Sequence, residues 1–149
     1  MAERTERSAL NTLIVTCKDA ARGFTWAADH LRNVKLKALF SELATMHMQY
    51  AEALIPHAQR LGGAAEAEGS MMATLHRAWM SLKDRVSGDH DHDHTIVLEA
   101  ERGQREALAV YAEALNGMLP PEIVDLIEAQ HAGIKTALDR LHATTVATV

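Results

Sequence analysis

The chain has 149 residues, of which 48% are hydrophobic and 4% aromatic, and its formal net charge is -5. This length suits a single domain, and abundant Ala and Leu with few aromatic residues favour helix over sheet. The acidic balance argues against a nucleic-acid partner, and no apolar run approaches the roughly 20 residues that span a membrane.

Five segments carry the three-to-four-residue apolar spacing of amphipathic helices, and no strand pattern competes with them. The first helix is predicted over residues 8–31, with Ser8 as its N-cap. The second is predicted over 34–61, where Pro56 should kink the helix or remove one backbone hydrogen bond. Gly62 and the glycine after it should end this helix. The short turn between the two helices predicts an antiparallel hairpin.

The second half of the chain predicts another hairpin after a long connection. A short helix is predicted over 70–86, and the alternating run Asp-His-Asp-His-Asp-His follows at 89–94 as a loop. Helices are then predicted over 95–116 and 122–142, separated by glycine and proline residues that stop one helix and start the next. We expect the tail after the last helix to fray.

Two hairpins joined by a long connection predict an all-α, ferritin-like four-helix bundle with a short extra helix in the crossover. The whole chain, residues 1–149, is expected to form this one domain. In such a bundle the third long helix begins at the end where the second began. A plain array of five helices is the alternative.

Three stretches of the chain are similar to a known bacterial family. They read LNTLIVTCKDAARGFTWAA from Leu10, GSMMATLHRAW from Gly69 and EAERGQREALAVYAEAL from Glu99. Over about residues 10–141 the chain resembles the bacterial ferritin-like proteins grouped as the domain of unknown function DUF2383. The resemblance implies a ferritin-like bundle and little about activity. The alternating Asp-His run departs from the family pattern.

Ferritin-like bundles hold a dinuclear metal site at mid-bundle, with one carboxylate from each of two helices and a Glu-x-x-His pair from each of the others. This chain has one such pair, Glu128 and His131, a spacing that an ordinary helix surface also produces. Asp19, His47 and Glu106 fall near the same height as His131, counted from the predicted helix starts. The two histidines should point inward, whereas the three carboxylates should lie on the flanks of the apolar stripes.

These five residues are the predicted ligands of one or two iron or manganese ions, with Glu42 and Glu99 as second-rank ligands. An incomplete ligand set would leave open coordination positions, as oxygen or peroxide chemistry requires. For His47 and His131 the alternative is that hydrogen bonds within the core satisfy them.

The alternating run is a second candidate metal site, because imidazoles such as those of His90, His92 and His94 chelate zinc, nickel or copper. The alternative is a solvated segment that starts the next helix, with Asp93 near the cap.

The sequence therefore predicts a metal-binding, ferritin-like protein with iron oxidation or peroxide handling as candidate activities. The alternative is a non-catalytic helical bundle that acts through self-association or a protein partner. We expect a homo-oligomer, and Trp26 on the outer side of the first helix is a candidate contact. One cysteine and the lack of an apolar segment after the N-terminal charges predict a cytoplasmic protein.

Overall fold

The computed structural model describes residues 2–62 and 92–147, and no strand occurs within these two ranges. The described residues form four helices, α1 (Ala2–His30), α2 (Val34–Arg60), α3 (His92–Leu115) and α4 (Pro121–Ala147). The predicted all-α four-helix bundle is confirmed. None of these four helices is long and apolar enough to cross a membrane. The short helix predicted over 70–86 lies outside the described residues.

The start of α3 lies beside the turn between α1 and α2. The two carboxylate oxygens of Asp93 accept hydrogen bonds from the backbone N–H groups of Arg32 and Asn33, at 2.9 and 2.8 Å. The end of α2 and the start of α3 therefore lie at opposite ends of the bundle. Helix α1 packs against α2 and α3, and α4 packs against α3 and crosses α2, so that neighbouring helices are antiparallel.

The bounds of α2 follow the sequence prediction closely. Asn33 is the N-cap, and its side-chain oxygen accepts the backbone N–H of Leu36 at 3.0 Å. The helix continues through Pro56 to Arg60. Gly62 then has a φ of 116°, a conformation that a residue with a Cβ rarely adopts. The predicted glycine stop is therefore confirmed.

The predicted start of α1 is wrong. The helix begins at Ala2, because the residues before Ser8 include no glycine or proline that would stop it. Ser8 lies inside the helix, and its carbonyl oxygen accepts the hydroxyl of Thr12 at 2.9 Å.

The predicted start of α3 and end of α4 are also wrong. Helix α3 includes the second half of the alternating run, and the Asp93 carboxylate in its first turn accepts hydrogen bonds from the α1–α2 turn. Helix α4 continues to Ala147 because its last turns remain packed on the bundle. Thr145 is buried there, with its hydroxyl 3.2 Å from a carboxylate oxygen of Glu101.

The apolar core is divided into two clusters along the bundle axis. The cluster near the α1–α2 turn includes Phe24, Leu31, Phe40, Leu43, Ile96, Val97 and Leu141. The cluster toward the other end includes Leu10, Leu13, Ile14, Leu54, Ile123, Ile127 and Ile134. Polar side chains from all four helices are buried near the level where the two clusters meet, and these side chains form the candidate site.

Candidate functional site

Five polar side chains are buried at mid-bundle, each 3% exposed or less. We call them the waist network, and they are Cys17, His47, Gln104, Tyr111 and Gln130. Two come from α3 and one from each of the other helices. Buried polar groups of this kind stabilise a fold only when their hydrogen bonds are satisfied.

One part of the waist network is a chain of hydrogen bonds through all four helices. The phenol of Tyr111 donates to Oε1 of Gln130 at 2.7 Å, and its oxygen lies 2.9 Å from Sγ of Cys17. Because the single phenol hydrogen goes to Gln130, the thiol S–H donates to the phenol oxygen. The amide nitrogen of Gln130 then donates to the backbone carbonyl of Tyr50 at 3.2 Å.

Burial explains the protonation states that these hydrogen bonds require. Removal from water raises the pKa of the Cys17 thiol to about 11, with the hydrogen bond to Tyr111 opposing the shift. Burial first, and the nearby thiol second, also raise the pKa of Tyr111. Both groups therefore keep their hydrogens at neutral pH, and each hydrogen has an acceptor.

The second part of the waist network joins His47 to Gln104. Burial lowers the pKa of His47 to about 4, against the opposite effect of the Gln104 hydrogen bond, so the imidazole is neutral at pH 7. The amide nitrogen of Gln104 lies 2.9 Å from Nε2, nearer than the amide oxygen at 3.3 Å. We infer that Nε2 accepts and that Nδ1 carries the hydrogen.

The other surroundings of His47 are aromatic. Phe24 stacks on the imidazole, with ring centroids 5.6 Å apart and planes 12° apart. Tyr50 meets it edge-on at 6.2 Å. Among the described residues, Nδ1 of His47 is buried with no hydrogen-bond partner. The ring is therefore held by packing on its faces and by one polar contact.

The five ligands predicted from the sequence do not share one environment. His47 is fully buried and Asp19 is 6% exposed, whereas Glu106 and Glu128 are exposed and His131 is partly exposed. Within the two described ranges, no group of three or more His, Cys, Asp or Glu side chains lies close enough to hold a metal ion. The mid-bundle metal site stays a prediction.

Several predicted carboxylate ligands have arginine partners instead. Arg102 donates from Nε to Glu99 at 3.0 Å and forms a second ion pair with Glu106, along one side of α3. Arg140 of α4 donates to Glu42 of α2 at 2.7 Å, and this contact lowers the pKa of the carboxyl. These carboxylates therefore take part in surface ion pairs within α3 and between α2 and α4.

The donors of the waist network do not fit an iron or manganese site. A thiol, a phenol, two amides and a neutral imidazole carry no formal charge at neutral pH. Iron and manganese sites in helical bundles rely on carboxylates to offset the charge of the ions. The network is instead suited to fixing the four helices in one register.

The histidines of the alternating run are divided by the helix start. His92 and His94 lie in the first turn of α3, whereas His90 lies outside the described residues. Nε2 of His92 is 2.6 Å from the backbone carbonyl of His30, at the end of α1. His92 therefore forms a hydrogen bond at the end of the bundle that carries the α1–α2 turn.

Sequence reasoning overlooked the two glutamines of the waist network. Gln104 lies on the same side of α3 as Ala100 and Ala107, and Gln130 lies on the same side of α4 as Ile127. The sequence nevertheless indicates that these glutamines are buried. Each lies in register with the apolar residues of its helix, and that side of the helix faces the core.

The fold and its waist define an all-α four-helix bundle with a hydrogen-bonded polar centre. The family model for the domain of unknown function DUF2383 matches residues 5–117, which covers α2, α3 and all but the first three residues of α1. The chain belongs to this family, as its resemblance predicted. No curated protein is similar enough to the chain to count as a match.

Proposed function

We propose that the protein is a non-catalytic helical bundle that acts by association, in the first place with further copies of itself. The waist network carries this proposal. The hydrogens of Cys17 and Tyr111 are directed to acceptors inside the bundle, the thiol stays protonated and the imidazole of His47 stays neutral. Covalent or acid–base catalysis requires such groups to meet a substrate, and these are sealed between four helices.

Exposed apolar side chains at the two ends of the bundle favour association. Val34, at the α1–α2 turn, is 78% exposed, and Met118, between α3 and α4, is 91% exposed. Burial of a large apolar side chain contributes about 1.5–3 kcal/mol. Contact between copies through these ends would bury them.

The first experiment separates this proposal from metal binding at mid-bundle. Protein without an affinity tag is incubated anaerobically with ferrous iron or manganese, desalted and subjected to elemental analysis. We expect much less than one equivalent of either metal. A stoichiometric ion that is lost in His47→Ala, and kept when His92 and His94 are replaced, would overturn the proposal in favour of a bundle site.

The second experiment measures mass in solution by light scattering over a wide range of protein concentration. We expect a species heavier than the monomer, with its dissociation constant raised by Val34→Ser or Met118→Ser. Ala129→Ser, at an exposed position of α4, is the control and should leave the assembly unchanged. A monomer at every concentration would contradict the proposal.

A further inference from the structure

The alternating Asp-His run connects two parts of the chain that are distant in sequence. Asp93 accepts the backbone N–H groups of Arg32 and Asn33, and His92 contacts the carbonyl oxygen of His30. We call these three contacts the clasp. They hold the first turn of α3 against the α1–α2 turn, and the carboxylate lies at the positive end of α2.

Helix geometry prevents this turn from chelating a metal ion while the clasp is formed. Residues two apart on an α-helix project about 200° apart, so the imidazoles of His92 and His94 diverge. An extended backbone places residues two apart on the same side, where two imidazoles can share one ion. Chelation by both histidines therefore requires the first turn of α3 to unwind.

We propose that the clasp is sensitive to metal ions that prefer imidazole, such as zinc or nickel. An ion held by His92 and His94 binds the unwound form and removes His92 from the carbonyl of His30. Asp93 lies between the two ligands, so unwinding also withdraws its carboxylate from the α1–α2 turn. A ligand that binds one form more tightly shifts the population toward that form. Metal binding thus releases α3 from the turn.

Zinc alone is the probe, added as its chloride to untagged protein. His90→Ala serves as the background chain, so that the response reports the two histidines of α3. The unfolded chain offers the same two histidines without the cost of unwinding a helix turn, so it binds zinc more tightly than the folded chain does. We therefore expect zinc at about ten times its dissociation constant to lower the Tm by about 2–4 °C. Amide hydrogen exchange should accelerate at Arg32 and Asn33, whose N–H groups the clasp protects.

Two variants decide the proposal. His94→Ala leaves the clasp contacts in place and removes one ligand, so the zinc response should disappear. Asp93→Ala breaks the clasp without metal, so zinc should bind more tightly and no longer change exchange at Arg32. A zinc-induced rise in Tm, zinc binding without faster exchange at the turn, or an undiminished response in His94→Ala would each overturn the proposal.

Discussion

The Sγ atom of Cys17 lies 2.9 Å from the phenolic oxygen of Tyr111, although 94 residues separate them in sequence. This contact joins α1 to α3, and the hydrogen bond from Tyr111 to Gln130 continues it to α4. The bundle thus has a line of hydrogen bonds through its centre. Apolar packing is not directional, so by itself it would allow one helix to shift along another. Polar core residues fix register in some helical assemblies, and this arrangement is suited to that role.

Replacement of Tyr111 by Phe should destabilise the protein more than the loss of one hydroxyl group would suggest. The change removes the acceptor of the Cys17 thiol and the donor to Gln130 while nearly preserving the shape of the ring. Buried groups left without partners cost about 1–3 kcal/mol. Urea unfolding measures this loss as a lower free energy of unfolding. The control is Tyr50→Phe, because Tyr50 takes part in these hydrogen bonds only through its backbone carbonyl, which the substitution keeps. Equal losses in the two variants would contradict the role of the network.

The sequence predicted the helices and the height of the polar layer better than it predicted the residues of that layer. His47 was expected inside and is inside, because it lies within a long apolar stripe. Glu106 and Glu128 were selected for their metal chemistry and height, yet each lies off the buried stripe of its helix. Ionised carboxylates are costly to bury, and the buried positions two residues away carry the neutral residues Gln104 and Gln130 instead.

Contacts between distant segments explain the helix ends that the sequence did not predict. Nothing local indicates that Asp93 binds the turn before α2, because 60 residues separate it from Asn33. Thr145 was expected in a frayed tail because it follows the last predicted helix, and its packing beside Glu101 keeps this segment in the helix instead. Local patterns give the elements, whereas docking between elements decides where they end.

His47 should make the stability of the protein depend on pH in the acid range. Its pKa is about 4 when folded and near the ordinary value of 6.5 when unfolded. Between these values the unfolded chain binds more protons, so the free energy of unfolding falls as pH falls from 6.5 to 4. The full loss of unfolding free energy that His47 can cause on acidification is about 3 kcal/mol. Urea unfolding at a series of pH values measures the slope.

The variant His47→Gln tests this assignment. A glutamine can still bond to Gln104 but does not titrate, so we expect the slope between pH 6.5 and 4 to become shallower. His131→Gln changes a partly exposed histidine on α4 and serves as the control. If the slope in His47→Gln matches that of the original chain, the pH dependence arises elsewhere.

The Cys17 thiol should react slowly in the folded protein. It is fully buried, its pKa is raised to about 11, and only the thiolate is a strong nucleophile. At pH 8 we expect alkylation by iodoacetamide to be at least roughly 100-fold slower than in concentrated urea. Since the chain has one cysteine, mass spectrometry follows this thiol alone. Tyr111→Phe should accelerate the reaction, and similar rates in the folded and unfolded states would contradict the buried contact.

Gly133 should be required where α4 crosses α2, whereas Gly103 should not be required in α3. A Cβ at 133 would collide with the Tyr50 hydroxyl and lie 3.1 Å from its Cζ, but a Cβ at 103 would meet no atom within 4 Å beyond its chain neighbours and the adjacent helix backbone. Alanine within a helix is ordinarily about 0.5–1 kcal/mol more stable than glycine. We therefore expect Gly103→Ala to raise the midpoint of urea unfolding and Gly133→Ala to lower it. Combining Gly133→Ala with Tyr50→Phe should recover part of the loss, because the colliding hydroxyl is absent. A gain of stability in Gly133→Ala equal to that in Gly103→Ala would show that the two helices do not approach so closely there.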